Sequence, residues 1–270
     1  KRLMKNEKYD FDYHNIQSCL EKLGLKKDDS IFLSTNMGFL GYPKSQNKNK
    51  ILVSSKWMLS AIKNIIGKKG NIFVPTYSYS FTKKIKKFNP LKTKADIGYF
   101  PNFFLKQKNI VRSFDPMMSI AGSGPDVKNI LLKTSNNSFG NNCTLERLFK
   151  IKNLKCCHIG IGFNWIPFIH YLDKKNNVPF RFDKIFQGNI KINGVEKKTN
   201  WTYFSRYLRK ETISNGYKIS LKANRSNLYL SSNLGKSTVY IINYKKFYKF
   251  ALKMTKKNKW LTVNGPKFKV

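Results

Sequence analysis

The chain has 270 residues, of which 41% are hydrophobic and 14% aromatic, enough apolar surface for a sizeable core and too much for a wholly disordered chain. It carries 52 Lys+Arg against 14 Asp+Glu, a formal net charge of +38, so its long-range field attracts anions and repels polycations. Only seven of the basic residues are arginine, the usual bidentate reader of bases and phosphates, so the lysine surplus reads as a solvated surface rather than a nucleic-acid face.

Residues 12–24 read as a first helix: Asp12 caps it, Ile16, Cys19, Leu20 and Leu23 share a face, and Gly24 ends it. "DDSIFLS" reads as a short buried strand, followed by a loop holding Gly38 and Gly41. A second helix spans 55–66, with Trp57, Met58, Ala61, Ile62, Ile65 and Ile66 on one stripe and Gly67 past its end. "NIFVPTYSYSF" is a second buried strand, ended by Pro75. A strand, loop, helix and strand in this order make a parallel pair with a crossover helix, which predicts an α/β fold.

The lysine-rich stretch 83–95 reads as an exposed loop. "GYFPNFFLKQ" has a helical pattern, and Thr144 is placed to cap a short helix through Leu148. "KCCHIGIG" at 155–162 reads as a third buried strand, after which Asn164 and Pro167 open a helix carrying His170. From about residue 186 the pattern alternates, which predicts antiparallel strands with a helix near 244–256.

Cys19, Cys143, Cys156 and Cys157 show no metal-ligand spacing, so buried thiols are expected and a bound metal is not. There is no apolar run long enough to span a membrane. The opening "KRLMKNEKYDFDY" lacks the apolar core of a signal peptide, and a cytoplasmic location is the default expectation.

In open α/β sheets ligands bind beyond the carboxyl ends of the strands. Three such ends carry small polar groups suited to phosphate or amide contacts: Ser34-Thr35-Asn36, Pro75-Thr76-Tyr77 and residues 160–164. His170 and Asp173, at i and i+3, share a helical face, where the carboxylate can raise the imidazole pKa or fix its tautomer. A lone histidine on a helix is more often a packed residue than a base. His14, on an exposed helix, and His158, inside a buried strand, are weaker candidates.

Taken together these segments resemble a known family. "SIFLSTNMGFLG", "IGKKGNIFVPTYSYSF", "GYFPNFFLKQKNIVRSFDPMMSIAGSGP", "FGNNCTLERLFKIKNLKCCHIGIGFNWIPFIHYLD" and "LGKSTVYIINYKKFYKFAL" resemble, in order and over nearly the whole chain, the motifs of the antibiotic N-acetyltransferases of the aminoglycoside 3-N-acetyltransferase type. The resemblance implies one α/β domain spanning residues 1–270, with a central mixed sheet flanked by helices and a C-terminal part richer in antiparallel strands. It implies acyl transfer from acetyl-CoA to an amine, with no metal, and is compatible with a homodimer.

By the same resemblance His170 falls on the active-site histidine and Asp173 on the acid three residues later. Ser34, Thr35 and Asn36 fall on the loop that meets coenzyme A, Pro75 and Thr76 on the turn beside it, and Arg112, Ser113 and Ser119 on the third motif. The chain departs from the family pattern in several places. Ser34 and Asp115 stand where histidines are usual, Asn36 where serine is, Asp173 where glutamate is, and Cys143-Thr144 where Ser-Pro is.

A protonated amine must lose a proton to attack a thioester, a task for an imidazole of near-neutral pKa, and the thioester oxygen needs donors as it gains charge. Asp115, Asn164 and Arg181 are the expected acceptor-side residues, and Arg112 and Arg181 the expected contacts to phosphate. Acids are few in the matched motifs (Asp96, Asp115, Asp173, Asp183). The expected acceptor is therefore an amino sugar, nucleotide-linked and destined for a surface glycan. Aminoglycoside 3-N-acetylation, formimidoyl or other acyl transfer to a sugar amine, and a basic nucleic-acid-binding protein are the alternatives. The last leaves the ordered motifs unexplained, and no signature of specific nucleic-acid binding is present.

Overall fold

The computed structural model describes residues 9–162 and 165–266. Helix α1 (Tyr13–Lys22) starts where expected: Asp12 accepts from Asn15 N at 2.9 Å, and Asn15 returns the contact to Asp12 N at 2.9 Å. Strand β1 (Ser30–Thr35) follows. Helix α2 (Lys50–Ile66) begins earlier than expected, because the Asn49 side chain accepts from Leu52 N at 3.1 Å and caps it there. Strand β2 (Ile72–Pro75) ends at its proline.

The lysine-rich stretch differs from expectation. It holds a two-residue strand, β3 (Lys87–Phe88), and buries Phe88 and Ala95, so its lysines are exposed but its backbone is tied down. Helix α3 (Tyr99–Leu105), strands β4 (Val111–Arg112) and β5 (Ile120–Ser123), and helix α4 (Val127–Leu132) come next. Helix α5 (Thr144–Leu148) is capped by Cys143 rather than Thr144. Strand β6 (Leu154–Ile159) leads to α6 (Ile169–Lys175). The helix thus starts two residues after Pro167, which places His170 in its first turn. The C-terminal part contains strands β7 (Arg181–Ile192) and β8 (Val195–Arg206), helix α7 (Tyr217–Arg225), strands β9 (Leu230–Leu234) and β10 (Ser237–Asn243), and helix α8 (Tyr244–Lys257).

Seven strands form a mixed sheet in the order β4-β5-β2-β1-β6-β10-β9, and three form a second sheet, β3-β7-β8. The centre of the large sheet is parallel, with β1 between β2 and β6; β5 and β10 join antiparallel on either side. Strand β1 is buried on both faces, which is why it reads as a continuous apolar run. Ile31 and Leu33 pack with residues of α1, α2 and α3 on one face, and Phe32 packs on the other with residues of α5, α6, α8 and the small sheet. This is the expected mixed α/β architecture.

All four cysteines are free and buried. Among the described residues no helix is long and apolar enough to cross a membrane.

Candidate active site

The parallel trio brings the carboxyl ends of β1, β2 and β6 side by side. Gly160, just past β6, has φ +69, and a Cβ there would overlap the Asn36 carbonyl oxygen, so this glycine lets the β1 and β6 loops touch. Beyond β1 and β2 lies a cavity of about 280 Å³ lined by Ser34, Thr35, Asn36 and Pro75, by apolar Leu33, Ile51, Ile97 and Phe100, and by Ile161 and Trp165. The Ser34 Oγ and Thr35 Oγ1 atoms are buried with no hydrogen-bond partner among the described residues. Buried hydroxyls are costly to leave unpaired, so these two can bond a polar atom that reaches them. The Asn36 side chain instead accepts from Gly38 N at 3.3 Å and shapes the loop.

A second hollow shares Met37, Gly38 and Ile51 with this cavity and adds Lys50 and Lys236. Both ammonium groups lie over the Tyr42 ring, at 3.3 Å and 5.5 Å from its centroid. The largely apolar cavity thus adjoins a hollow that carries two cations, Lys50 and Lys236, the latter also 3.6 Å from Asp10 Oδ2.

His170 lines a separate groove of about 990 Å³, together with Arg181, Tyr79, Tyr203, Lys86, Lys184, Arg206 and Ser214. Its position follows from packing. Phe168, at the start of α6, is fully buried against Tyr244, Phe247 and Tyr248 of α8 at centroid distances of 5.1–5.5 Å. Further along, Asn176 donates to Thr255 Oγ1 at 2.7 Å, and Tyr171 donates to Glu146 at 2.8 Å. The helix is therefore pinned on α8 and α5, and the His170 ring stands edge-on to Phe139 at 5.3 Å.

Behind the imidazole lies a buried ionic cluster. Asp173 is wholly buried, with Oδ2 3.7 Å from His170 Nδ1 and 2.8 Å from Arg181 Nε. Arg181 donates from Nη2 to His170 Nδ1 at 2.9 Å and to Ser214 Oγ at 2.9 Å, and from Nη1 to the Phe204 carbonyl at 3.1 Å. Burial, and then the Arg181 charge, hold the His170 pKa below the usual imidazole range against the opposing pull of Asp173. Both effects favour the neutral ring.

The remaining expected residues divide sharply. Arg112 is buried and enclosed: its Nε donates to Thr76 Oγ1 at 3.1 Å and Ser119 Oγ at 3.0 Å, its Nη2 to the Thr76 carbonyl at 2.6 Å, and its Nη1 to the Thr93 carbonyl. It braces the β2 end from within, and its buried guanidinium donates to protein carbonyls and hydroxyls. Thr76 and Ser119 are spent in that same network. Ser113 accepts from Ile120 N at 3.0 Å and ties β4 to β5.

Asp115 is also interior, accepting from Met117 N, Met118 N and Ser138 Oγ, and burial pushes its carboxyl up to about 6. It holds a turn and does not reach the groove. Arg181 is a buried partner of His170 rather than an exposed phosphate contact. Asn164 lies outside the described residues. His158 is buried opposite Ser34 with its Nδ1 3.3 Å from the Gly162 carbonyl, and burial lowers its pKa to about 4.

The cavity and the groove share no lining residue, and the segment from Pro75 to Tyr79 connects them. The groove is built largely by the β7–β8 hairpin, which sequence reasoning did not place. Its signal was present: Asn193 and Gly194 stand alone between the strands with φ +48 and +87, as a two-residue primed turn requires.

A family model described as aminoglycoside 3-N-acetyltransferase matches residues 46–256. The chain belongs to the aminoglycoside 3-N-acetyltransferase family. Its enzyme class is therefore the expected one, acyl-CoA-dependent N-acetyltransferase. The matched span contains His170 and Asp173, whereas Ser34–Asn36 precede it. Solved structures share the fold at low identity. An AAC-IIIb complex with CoASH superposes with a TM-score of 0.77 at 14% identity, covering 95% of this chain and 99% of the other. AAC-VIa bound to sisomicin gives 0.76 at 13%, covering 91% and 97%. The YokD protein from Bacillus subtilis gives 0.74 at 15%, covering 91% and 99%. No curated protein matches the sequence.

Proposed function

We propose that this chain transfers the acetyl group of acetyl-CoA to an amine of an amino sugar held in the groove at His170. The observation that carries the reading is the His170 imidazole at the groove wall, backed by Asp173 and Arg181. A neutral imidazole beside a carboxylate can take the ammonium proton that blocks attack and share the resulting charge with Asp173. Ser34 and Thr35 hold the pantetheine amides, Lys50 and Lys236 the phosphates, and bound acetyl-CoA supplies the activated acyl group. The acetyl group has to pass from the cavity to the groove, and residues 75–79 run between the two. With acetyl-CoA as donor the reaction belongs in the cytoplasm. Every residue invoked comes from one chain, so a homodimer is compatible but not required.

The acceptor that kinship favours is an aminoglycoside, as in the family description. A second reading, a nucleotide-linked amino sugar for surface glycan synthesis, is favoured by the groove itself. Among the described residues its lining carries Lys86, Lys184 and Arg206 and no Asp or Glu, whereas a polycation is ordinarily held by carboxylates. Tyr79, Phe186 and Tyr203 supply rings on which a base or sugar can stack. Thiol release from acetyl-CoA, followed across aminoglycosides, neutral amino sugars and nucleotide-linked amino sugars, tests both. Turnover with any of these amines supports N-acetyl transfer, and the ranking assigns the acceptor. No thiol release with any amine contradicts the function.

A further inference from the structure

We infer that Arg181 is a positioning residue that holds resting His170 as its Nε2–H tautomer, and that handing Nδ1 from Arg181 to Asp173 is what makes the imidazole a base. The inference rests on His170 being the proton-handling group of the proposed reaction, but its geometry stands apart from it.

A guanidinium has five N–H donors, no acceptor, and does not lose its proton in a protein. The 2.9 Å contact from Arg181 Nη2 to His170 Nδ1 therefore needs a lone pair on Nδ1. In a neutral imidazole the proton is then on Nε2. That nitrogen has no hydrogen-bond partner among the described residues, and the ring lines the groove. The resting ring meets a groove ligand as a hydrogen-bond donor, suited to an oxygen of the acceptor or the thioester.

The guanidinium is held by other partners, so the hand-over is a movement of the imidazole. The Phe204 carbonyl and Ser214 Oγ accept from its two terminal nitrogens, and its Nε faces Asp173. Asp173 Oδ2, at 3.7 Å, lies beyond hydrogen-bond reach of Nδ1. To act as a base at Nε2 the ring must give up that proton to water and take one at Nδ1, with no net change in charge. The new Nδ1–H then requires an acceptor, and Asp173 is the one carboxylate within 4 Å of it among the described residues. The same hand-over serves the imidazolium. The charged and titratable groups around the ring are Asp173 on α6, Arg181 on β7, and Arg206 and Tyr203 on β8, with Lys86 in the groove wall. Burial first, and then Arg181 and Arg206, hold the ring's pKa down against Asp173.

The test is nitrogen NMR of the full chain labelled with ¹⁵N-histidine, with His170→Gln used to assign its resonances. At neutral pH the wild type is expected to show His170 Nδ1 as a bare, pyridine-type nitrogen and Nε2 as protonated. In Arg181→Met, which fills the space but donates nothing, the proton should move to Nδ1 and the imidazole pKa should rise. Arg181→Lys keeps the charge opposite Asp173 and serves if the methionine variant does not fold; the same tautomer change is expected there. A protonated Nδ1 in neutral wild-type His170, or a tautomer unchanged in both variants, overturns the inference. The spectrum needs no substrate, so it reads independently of whether the protein releases thiol from acetyl-CoA.

Discussion

Asp173 Oδ2 lies 2.8 Å from Arg181 Nε, nearer than it lies to His170, so the arginine is the carboxylate's first partner. Both side chains are buried, at 0% and 2% exposure. Removing one charge leaves the other desolvated and alone. Asp173→Ala is therefore expected to cost stability as well as activity, by roughly 3–5 kcal/mol for a broken buried pair. Chemical denaturation checks it, and an unchanged midpoint would show that water or another group already compensates Arg181.

The orphan hydroxyl of Thr35 gives a prediction on donor binding. Thr35→Val keeps shape and removes the hydroxyl, so CoA affinity is expected to fall by roughly 2- to 10-fold, the worth of one net hydrogen bond. Calorimetry measures the affinity. Trp165 lines the same cavity and is 39% exposed, so CoA should also change the intrinsic fluorescence, and Trp165→Phe should lose that change.

Gly160 sits where two strand-end loops meet. With φ +69 and the Asn36 carbonyl in the space of a Cβ, Gly160→Ala strains both loops. A loss of ~1–3 kcal/mol is expected, together with weaker CoA binding. Thermal melting and calorimetry check the two effects, and unaltered binding would separate this contact from the cavity.

Asp115 gives a pH signature. Its folded-state value is raised to about 6, so the folded protein binds this proton more tightly than the unfolded chain. The stability it contributes is complete below the ordinary carboxylate value and is lost as pH rises through about 6. His158, lowered to about 4, contributes in the opposite sense: stability present above the ordinary imidazole value and lost as pH falls toward about 4. The two partly cancel in the wild type. Asp115→Asn removes one of them, so from pH 4 to pH 7 this variant should gain on the order of 2–3 kcal/mol relative to wild type. Equal pH slopes for the two proteins would show that the buried carboxyl titrates normally.

Local patterns made much of the fold legible. The Asp12 cap, the apolar stripe of α2, and the uninterrupted apolar runs of β1, β2 and β6 each belong to one element, and each reads correctly from its own residues. The β7–β8 hairpin was less legible because few of its residues are fully buried, so its apolar alternation is weak, although Asn193-Gly194 marks its turn. The short strands β4 and β5 depend on partners, and no periodicity fits in two to four residues.

The site divides in the same way. His170 and Asp173 are neighbours in sequence, so their pairing was visible. Arg181 reaches them from another strand, and its Ser214 partner lies farther along the chain. Arg112 was read as a phosphate contact because an arginine in a motif suggests one; only the fold shows it enclosed by Thr76, Thr93 and Ser119.

The kinetics of His170→Ala test the central claim most directly. The account expects kcat for thiol release from acetyl-CoA, with the best amine acceptor, to fall roughly 10²–10⁴-fold, the usual loss for a proton-transfer group, with CoA affinity preserved. In the wild type the acid limb of kcat/KM should lie below the ordinary imidazole range, because His170 is held below it, and the variant should lack that limb. A folded His170→Ala protein with wild-type kcat would contradict the account and make this histidine a packing residue.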